Sequence, residues 1–421
     1  MLAVSKHPFR PLRHRNVRIL WSAAVVSDIG TWVQLIVVGS LVAAGTGSAI
    51  RTGLVALATF APQGIASPIG GLLADKFDRR KVFASALLMQ AAMTSVLGII
   101  LGLGVRDPGV LTLLILLGSA SGAIGAPSFA ALQPDLVPPE ELMAMVSLGV
   151  YSWNSGRIAG PIIGTVLAAT VGPAWTIGFN AVTFVVMAVG VWSLRRPFLP
   201  NGGVGTIRER LADGWDALRS TPGCWHGVVM LVLFNITIVP FMGLIPIYAK
   251  ADFGGGTGLA GLFSSAQGVG AILGGIVVTM LALRYRRSHL LERIVWFVSA
   301  ALACFAIAPN ATLATICAAV LGAGSAAMFI TVSAIIQRDA PPARRGRVMA
   351  MMQASMGVSY GVGILTIGTI GDLVNLHVAF AIGAAGLPIG FAVLAHRSRQ
   401  WRQALDGTDP VPATRQSALA A

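Results

Sequence analysis

Charge is what this 421-residue chain has least of: 11% of its residues are Asp, Glu, Lys or Arg, against roughly 25% in soluble globular proteins. That deficit excludes a water-soluble protein, and a hydrophobic content of 55% with a mean hydropathy of +0.77 points the same way. Cysteine is nearly absent. Cys224, Cys304 and Cys317 lie at or inside apolar runs without paired spacing, so they build neither a disulfide framework nor a thiolate metal site and read as small apolar fillers. The histidines (His7, His14, His226, His289, His377 and His396) are scattered over ends and loops and form no metal-ligand cluster. No G-x-x-x-x-G-K-[S/T] phosphate loop and no soluble segment of catalytic size is present. The chain therefore carries no ATP-driven motor, is not expected to be an enzyme, and needs no cofactor and no metal.

What is there is a succession of apolar runs, each near the roughly 20 residues that a helix needs to cross a 30 Å hydrocarbon core. They fall at roughly 17–44, 52–74, 82–104, 110–133, 142–170 and 174–194, then at 225–249, 258–283, 291–308, 312–336, 348–371 and 376–395. Helices satisfy their own backbone groups in lipid, and these runs are too long and too uniformly apolar for barrel strands. The expected fold class is an all-α membrane protein with twelve transmembrane helices. Residues 1–18 are basic, and the apolar run that follows is too long for a signal-peptide core, so it reads as a retained first span.

The net charge of +14 does not imply nucleic acid, because the cations sit in short loops and not along one soluble face. Of the 30 Lys and Arg residues, all but Arg51, Arg106, Arg157 and Lys250 fall in loops on the side of the two termini. The positive-inside rule then places both termini in the cytoplasm, with the chain multi-pass in the cell (inner) membrane.

A polar stretch divides the chain into residues 1–194 and 225–396, each a six-helix bundle, joined by a linker at 195–224 and followed by a tail at 397–421 expected to be disordered. In the linker, Thr206-Ile207-Arg208-Glu209 has capping-box spacing. Ile207, Leu211, Trp215 and Leu218 recur at helical spacing before Pro222-Gly223, which reads as an amphipathic surface helix or as a solvated linker with one helical turn. The halves echo each other. Leu117-Gly118-Ser119 and Gln133-Pro134-Asp135 reappear at the same interval as Leu321-Gly322-Ala323 and Gln337-Arg338-Asp339, with Pro138-Pro139 answered by Pro341-Pro342. Two pseudo-symmetric bundles in parallel repeat fit a secondary transporter with a binding site between its halves near the midplane.

Two formally charged residues lie deep in spans, Asp28 and Arg157. At 1.5 Å per residue they stand about 16 Å and about 22 Å along their helices, and each costs about 2.5–3.5 kcal/mol at a helix centre. Either Asp28 takes up and releases a coupling proton with Arg157 as the charge that modulates it, or the two form a permanent structural pair. Gln34, Asn154, Asn235, Gln267 and Gln353 are further polar groups inside spans, read as candidate substrate contacts or as interhelical hydrogen-bond partners. Abundant Phe and Met (17 and 14 residues) favour a largely apolar cavity and an amphipathic substrate over a sugar.

Two motifs are more specific. Gly71-Leu72-Leu73-Ala74-Asp75-Lys76-Phe77-Asp78-Arg79-Arg80 stands between the second and third runs. Gly71 is expected to allow close helix approach, and the cations pin the loop to anionic headgroups. In the fifth run, Gly156, Gly160 and Gly164 form a small-xxx-small face, with Pro161 favouring a kink. The first pattern resembles the signature loop of the major facilitator superfamily. The second is similar to the G-x-x-x-G-P-x-x-G motif of its proton-exchanging exporters, with Thr165 where a further glycine is usual. Asp78 in place of glycine, together with Ser27-Asp28-Ile29-Gly30-Thr31-Trp32, Pro134-Asp135-Leu136-Val137-Pro138 and Arg345-Gly346-Arg347-Val348, resembles the branch holding the enterobactin exporter and macrolide-efflux proteins. The resemblance covers about residues 9–395. It implies a major facilitator fold, a conformational latch made by Gly71, Asp75, Arg79 and Arg80, and proton-coupled export of a small amphipathic molecule (a drug, siderophore or metabolite); a monomer is the default expectation. An uptake symporter is the alternative within transport; a non-transporting membrane receptor is the alternative outside it.

Overall fold

The computed structural model describes residues 9–194, 207–282, 284–341, 344–397 and 401–406. Among the described residues there is no strand, and ten helical segments are long and apolar enough to cross a bilayer. In chain order the helices are α1 (Arg15–Thr46), α2 (Ala49–Phe60), α3 (Pro62–Lys76), α4 (Arg79–Gly102), α5 (Pro108–Leu132), α6 (Leu142–Thr170) and α7 (Pro173–Trp192). After the linker come α8 (Ile207–Ser220), α9 (Pro222–Thr237), α10 (Pro240–Phe253), α11 (Thr257–Ala282), α12 (Arg287–Ala306), α13 (Ala311–Asp339), α14 (Arg345–Leu373), α15 (Leu376–Arg397) and α16 (Trp401–Asp406).

The expected second span is a pair, α2 and α3, interrupted at Ala61; the expected seventh is α9 and α10, interrupted at Ile238 and Val239. Proline is the local cause, since Pro62 and Pro240 open the second member of each pair and lack the N–H that would continue the ladder. Three other helix starts carry side-chain caps. Asp78 accepts from the Arg80 N–H at 2.9 Å, Asp107 from Val110 at 2.8 Å, and Asn310 from Leu313 at 2.9 Å, each satisfying a donor that the first helical turn leaves open.

Equivalent helices pack in equivalent pairs. In the first half α1 lies against α6 and α7, and α4 against α5 and α7; in the second, α9 lies against α14 and α15, and α12 against α13 and α15. The crossings use glycine alike: a side chain at Gly70 of α3 would collide with the Ile124 carbonyl of α5, and one at Gly274 of α11 with the Ala323 carbonyl of α13. The contacts divide into two compact units, Met1–Gly47 with Leu54–Ile207 and Ala249–Ser265, and Ser48–Gly53 with Arg208–Tyr248 and Ala266–Ala421. The first holds an apolar core around Leu20, Phe83, Leu87, Leu148 and Phe184. The second is centred on Phe241, Tyr248, Phe305 and Phe380, where the Tyr248 hydroxyl donates to the Phe305 carbonyl.

Arg10, Arg13 and His14, ahead of and at the start of α1, are tied down. Glu141, 2% exposed, takes Arg10 at 3.0 Å, Arg13 at 2.6 Å and His14 at 3.0 Å. The linker helix forms as α8, with Leu218 of the expected stripe buried and Trp215 exposed, the side chains of Ile207 and Leu211 lying outside the described residues. Gly214, Ala217 and Leu218 are buried while Trp215 is exposed, because Asp213 pairs with Arg344 (3.1 Å) and Arg347, which turns Gly214 onto the Arg347 backbone. Trp215 instead meets Trp225 at 5.9 Å with Arg219 over both rings. Thr206 of the capping box lies outside the described residues. The tail expected to be disordered begins with order: Trp401 packs on Phe391 (5.0 Å), Leu405 is buried, and Asp406 caps α12 by accepting from Ser288 N–H and Oγ at 2.8 Å each. Trp401 and Leu405, four apart, supply an apolar face that a reading by composition overlooks; residues 407–421 lie outside the described ones.

Candidate functional site

Asp28 of α1 and Arg157 of α6 stand on one seam inside the first unit. The seam exists because α6 presents no side chain along it: a Cβ on Gly156 would lie 2.7 Å from the Asp28 carbonyl carbon, one on Gly160 2.5 Å from Trp32 Cβ, and one on Gly164 3.1 Å from Ile36 Cγ2. Pro161 is buried within the same helix. With the two backbones this close, the buried Ser152, one turn before Gly156, reaches the carboxylate, and its hydroxyl donates to Asp28 Oδ2. Arg157 lies with its guanidinium 5.7 Å from the ring centre of Trp32, one turn beyond Asp28, within cation–π range. Trp32 in turn meets Trp153 edge-on at 5.5 Å and Phe60 at 6.1 Å. Ser152 and Trp153 were not singled out from the sequence, and Trp32 was named only within a motif and not as a site residue. Spacing could have found them, since residues four apart share a helix face.

Chemically, a carboxylate that accepts from a hydroxyl has a donor it can exchange for its own proton: Ser152 donates to the ionised acid and can accept from the neutral one. Few rearrangements are needed for either state, because Ser152 is locked on the glycine seam. The aromatic rings beside it provide apolar contact for a ligand, and Arg157 a fixed cation.

The loop motif is anchored within its own half. Arg79 is 5% exposed and donates to Asp135 Oδ2 at 2.9 Å and to the Ala131 carbonyl at 3.2 Å. Arg80 donates to the Leu194 carbonyl at 3.0 Å and lies over Trp192 at 5.4 Å. Asp75 sits near the end of α3, half-buried. Gly71 differs from expectation. The space beyond it is open, and the close approach belongs to its neighbour Gly70, which faces α5. Helix rotation separates adjacent residues by 100°, so only one of the two can face a given partner.

The five amides fare differently. Gln34 Oε1 accepts from Asn180 Nδ2 at 2.8 Å and Thr94 Oγ1 at 3.4 Å, joining α1 to α7 and α4. Asn154 and Asn235 donate back to the carbonyls of Val150 (2.9 Å) and Leu231 (2.8 Å) on their own helices. Gln353 is exposed. Gln267 is buried, and its side-chain carbonyl oxygen has no hydrogen-bond partner among the described residues.

Set against known proteins, residues 6–418 match the family profile described as transmembrane secretion effector. The chain belongs to this family of major facilitator transporters. Among curated relatives, macrolide efflux protein A of Streptococcus pyogenes is 22% identical over 85% of this chain and 90% of its own length. The multidrug efflux pump Tap of Mycolicibacterium fortuitum is 26% identical (87% and 91%), and the enterobactin exporter EntS of Citrobacter koseri 24% (89% and 90%). Of solved structures, a POT family transporter in complex with a thioalcohol-conjugated peptide superposes with a TM-score of 0.73 at 13% identity, covering 91% of this chain and 96% of that one. The D-xylose–proton symporter does so at 0.69 and 13% (90% and 96%). These likenesses carry the fold. As a major facilitator protein the chain is a multi-pass membrane transporter of small molecules and not an enzyme.

Proposed function

We propose that this transporter exports a small amphipathic molecule, of the drug, siderophore or metabolite class, in exchange for protons by alternating access. It works as a monomer among the lipids of the inner membrane with both termini in the cytoplasm. The orientation is supported by the distribution of lysine and arginine between the loops, and the direction by relatives named for efflux and export. The observation that carries the coupling is the Asp28 carboxylate held by Ser152 on the glycine seam, beside Arg157 and the Trp32 and Trp153 rings. A carboxylate at membrane depth is costly to keep unless it has a task. In this reading Asp28 is protonated from one face and deprotonated to the other, with Ser152 switching between donor and acceptor. Substrate displaces the proton, its apolar part resting on the rings.

The test is transport in proteoliposomes with an imposed proton gradient, using a panel that includes a macrolide and a catecholate siderophore. The intact protein is expected to move at least one compound down to a gradient-dependent steady state. Asp28→Asn, which keeps the hydrogen bond with Ser152 but cannot ionise, is expected to lower gradient-driven transport at least tenfold while keeping substrate counterflow. Full coupling in Asp28→Asn across several pH values rules out the proton role.

A further inference from the structure

Arg219, in the last turn of α8, is exposed and stands in a corner made by two tryptophans. Its guanidinium carbon lies 5.4 Å from the ring centre of Trp215 and 5.4 Å from that of Trp225, and the two rings meet at 87°. All three residues belong to the second compact unit. Ring faces attract a cation through their quadrupole, but the five N–H donors of a guanidinium still call for oxygen. Among the described residues none supplies it. No hydrogen bond or ion pair engages Arg219, and Asp216, three residues earlier and also exposed, forms none with it. Other arginines beside rings are placed differently. Arg80, over Trp192, donates to the Leu194 carbonyl at 3.0 Å, and Arg402, over Trp401, meets Glu292 at 3.4 Å. Arg293 lies over a single ring, Tyr285.

The depth of the corner follows from α9. Trp225 is in its first turn, and α9 with α10 makes up the apolar segment Pro222–Phe253 of 32 residues. At 1.5 Å per residue this is at most about 48 Å, close to the roughly 40–45 Å of a bilayer with its headgroups. The first turn of α9 therefore stands in the headgroup layer on the side of the basic loops, the layer in which tryptophan is enriched. Helix α8 is held so that Arg219 stays there. Its other face is fixed by the Asp213 ion pairs with Arg344 and Arg347, by Gly214 against the Arg347 backbone, and by Ala217 and Leu218, each 0% exposed. Residues 215 and 219, one turn apart, share the face left open.

We propose that Arg219, Trp215 and Trp225 form a binding site for one anionic phospholipid. Two phosphate oxygens take the guanidinium N–H groups in the fork geometry that arginine offers to phosphate, the rings flank the headgroup, and the acyl chains enter the bilayer beside Trp225. A free phosphate has the same oxygens, but a corner of two tryptophans at headgroup depth selects the phosphate carried by a lipid. The site differs from the general attraction of basic loops to anionic surfaces in depending on one arginine and two rings.

The test places the full chain in phosphatidylcholine liposomes containing a minor fraction of phosphatidylglycerol with brominated acyl chains, which quench the tryptophans they touch. The share of the quenching that is lost in Trp225→Phe reports this corner. Half-saturation of that share is expected to need at least fivefold more phosphatidylglycerol in Arg219→Gln. Arg219→Lys, which keeps the charge without the fork, is expected to lie nearer to Arg219→Gln than to the parent. Arg293→Gln removes another exposed charge of the same unit and is expected to leave the curve unchanged. Brominated phosphatidylcholine is expected to quench this share less, and inorganic phosphate to displace nothing. Because Arg219 is exposed, its variants are expected to unfold in detergent at the parent's temperature. A parent-like curve in Arg219→Gln, an equal shift in Arg293→Gln, equal quenching by phosphatidylcholine, or displacement by inorganic phosphate overturns the site. The readout needs neither substrate nor proton gradient, so failure of the export reading leaves it unaffected.

Discussion

Gly156→Val is expected to abolish transport and to lower the thermal unfolding midpoint in detergent by many degrees. The new Cβ would sit 2.7 Å from the Asp28 carbonyl carbon and 2.8 Å from its oxygen, closer than atoms pack. Both obstacles are backbone, which cannot rotate away as a side-chain end would. Helix α6 would have to withdraw from α1, carrying Ser152 away from the carboxylate and Arg157 away from Trp32. Overpacking alone costs about 1–3 kcal/mol, and here the loss of contacts along a whole helix pair is added to it. The seam supplies its own scale. Gly164→Ala, facing Ile36 Cγ2 at 3.1 Å and Val33 Cα at 3.2 Å, is expected to be intermediate, because a shift of a few tenths of an ångström between the helices relieves both contacts; Gly149→Ala, with nothing within 4 Å on the same helix, is expected to be neutral or stabilising by up to about 1 kcal/mol from helix propensity. Unfolding midpoints in the order Gly149→Ala, Gly164→Ala, Gly156→Val check the account, and a wild-type midpoint for Gly156→Val contradicts it.

Asp135→Ala carries the second large effect. It strips the buried Arg79 of its carboxylate and leaves the guanidinium with the Ala131 carbonyl. Removing one partner of a buried ion pair costs about 3–5 kcal/mol. Asp135 itself is 43% exposed, and water entering its place reduces the figure to about 2 kcal/mol. Arg79→Met combined with Asp135→Ala is expected to recover most of the loss, since an apolar side chain in the arginine's place needs no counter-charge. The measurement is a double-mutant cycle on unfolding midpoints in detergent. Additive losses would mean that Arg79 is stabilised by groups other than Asp135.

Sequence reading carried the all-helical membrane class, the positions of the apolar runs and the family, because hydropathy and loop motifs are local signals. It also placed the glycines of α6 on one face, as spacing dictates. Contacts between distant segments were harder to see. Glu141 draws Arg10, Arg13 and His14 from the far end of the chain, and nothing near any of these residues names the other. Asp372 shows the same limit, since its partner amides at Ala49 and Ile50 carry no sequence label. The interruptions at Ala61 and at Ile238–Val239 were in principle readable from Pro62 and Pro240, but an unbroken apolar run masked them. Gly70 and Gly71 cannot be told apart without knowing how α3 is rotated. The amides illustrate the same limit: Gln34 and Gln267 look alike in sequence, yet the oxygen of one accepts from Asn180 and Thr94 while that of the other has no partner among the described residues.

The missing backbone bond at Pro62 has a mechanical meaning. A continuous rod from Ala49 to Lys76 would transmit every tilt of its upper tip straight to Asp75 and the basic turn below. Lacking that bond, the stretch is expected to bend more easily at Ala61 than an unbroken helix of the same length would.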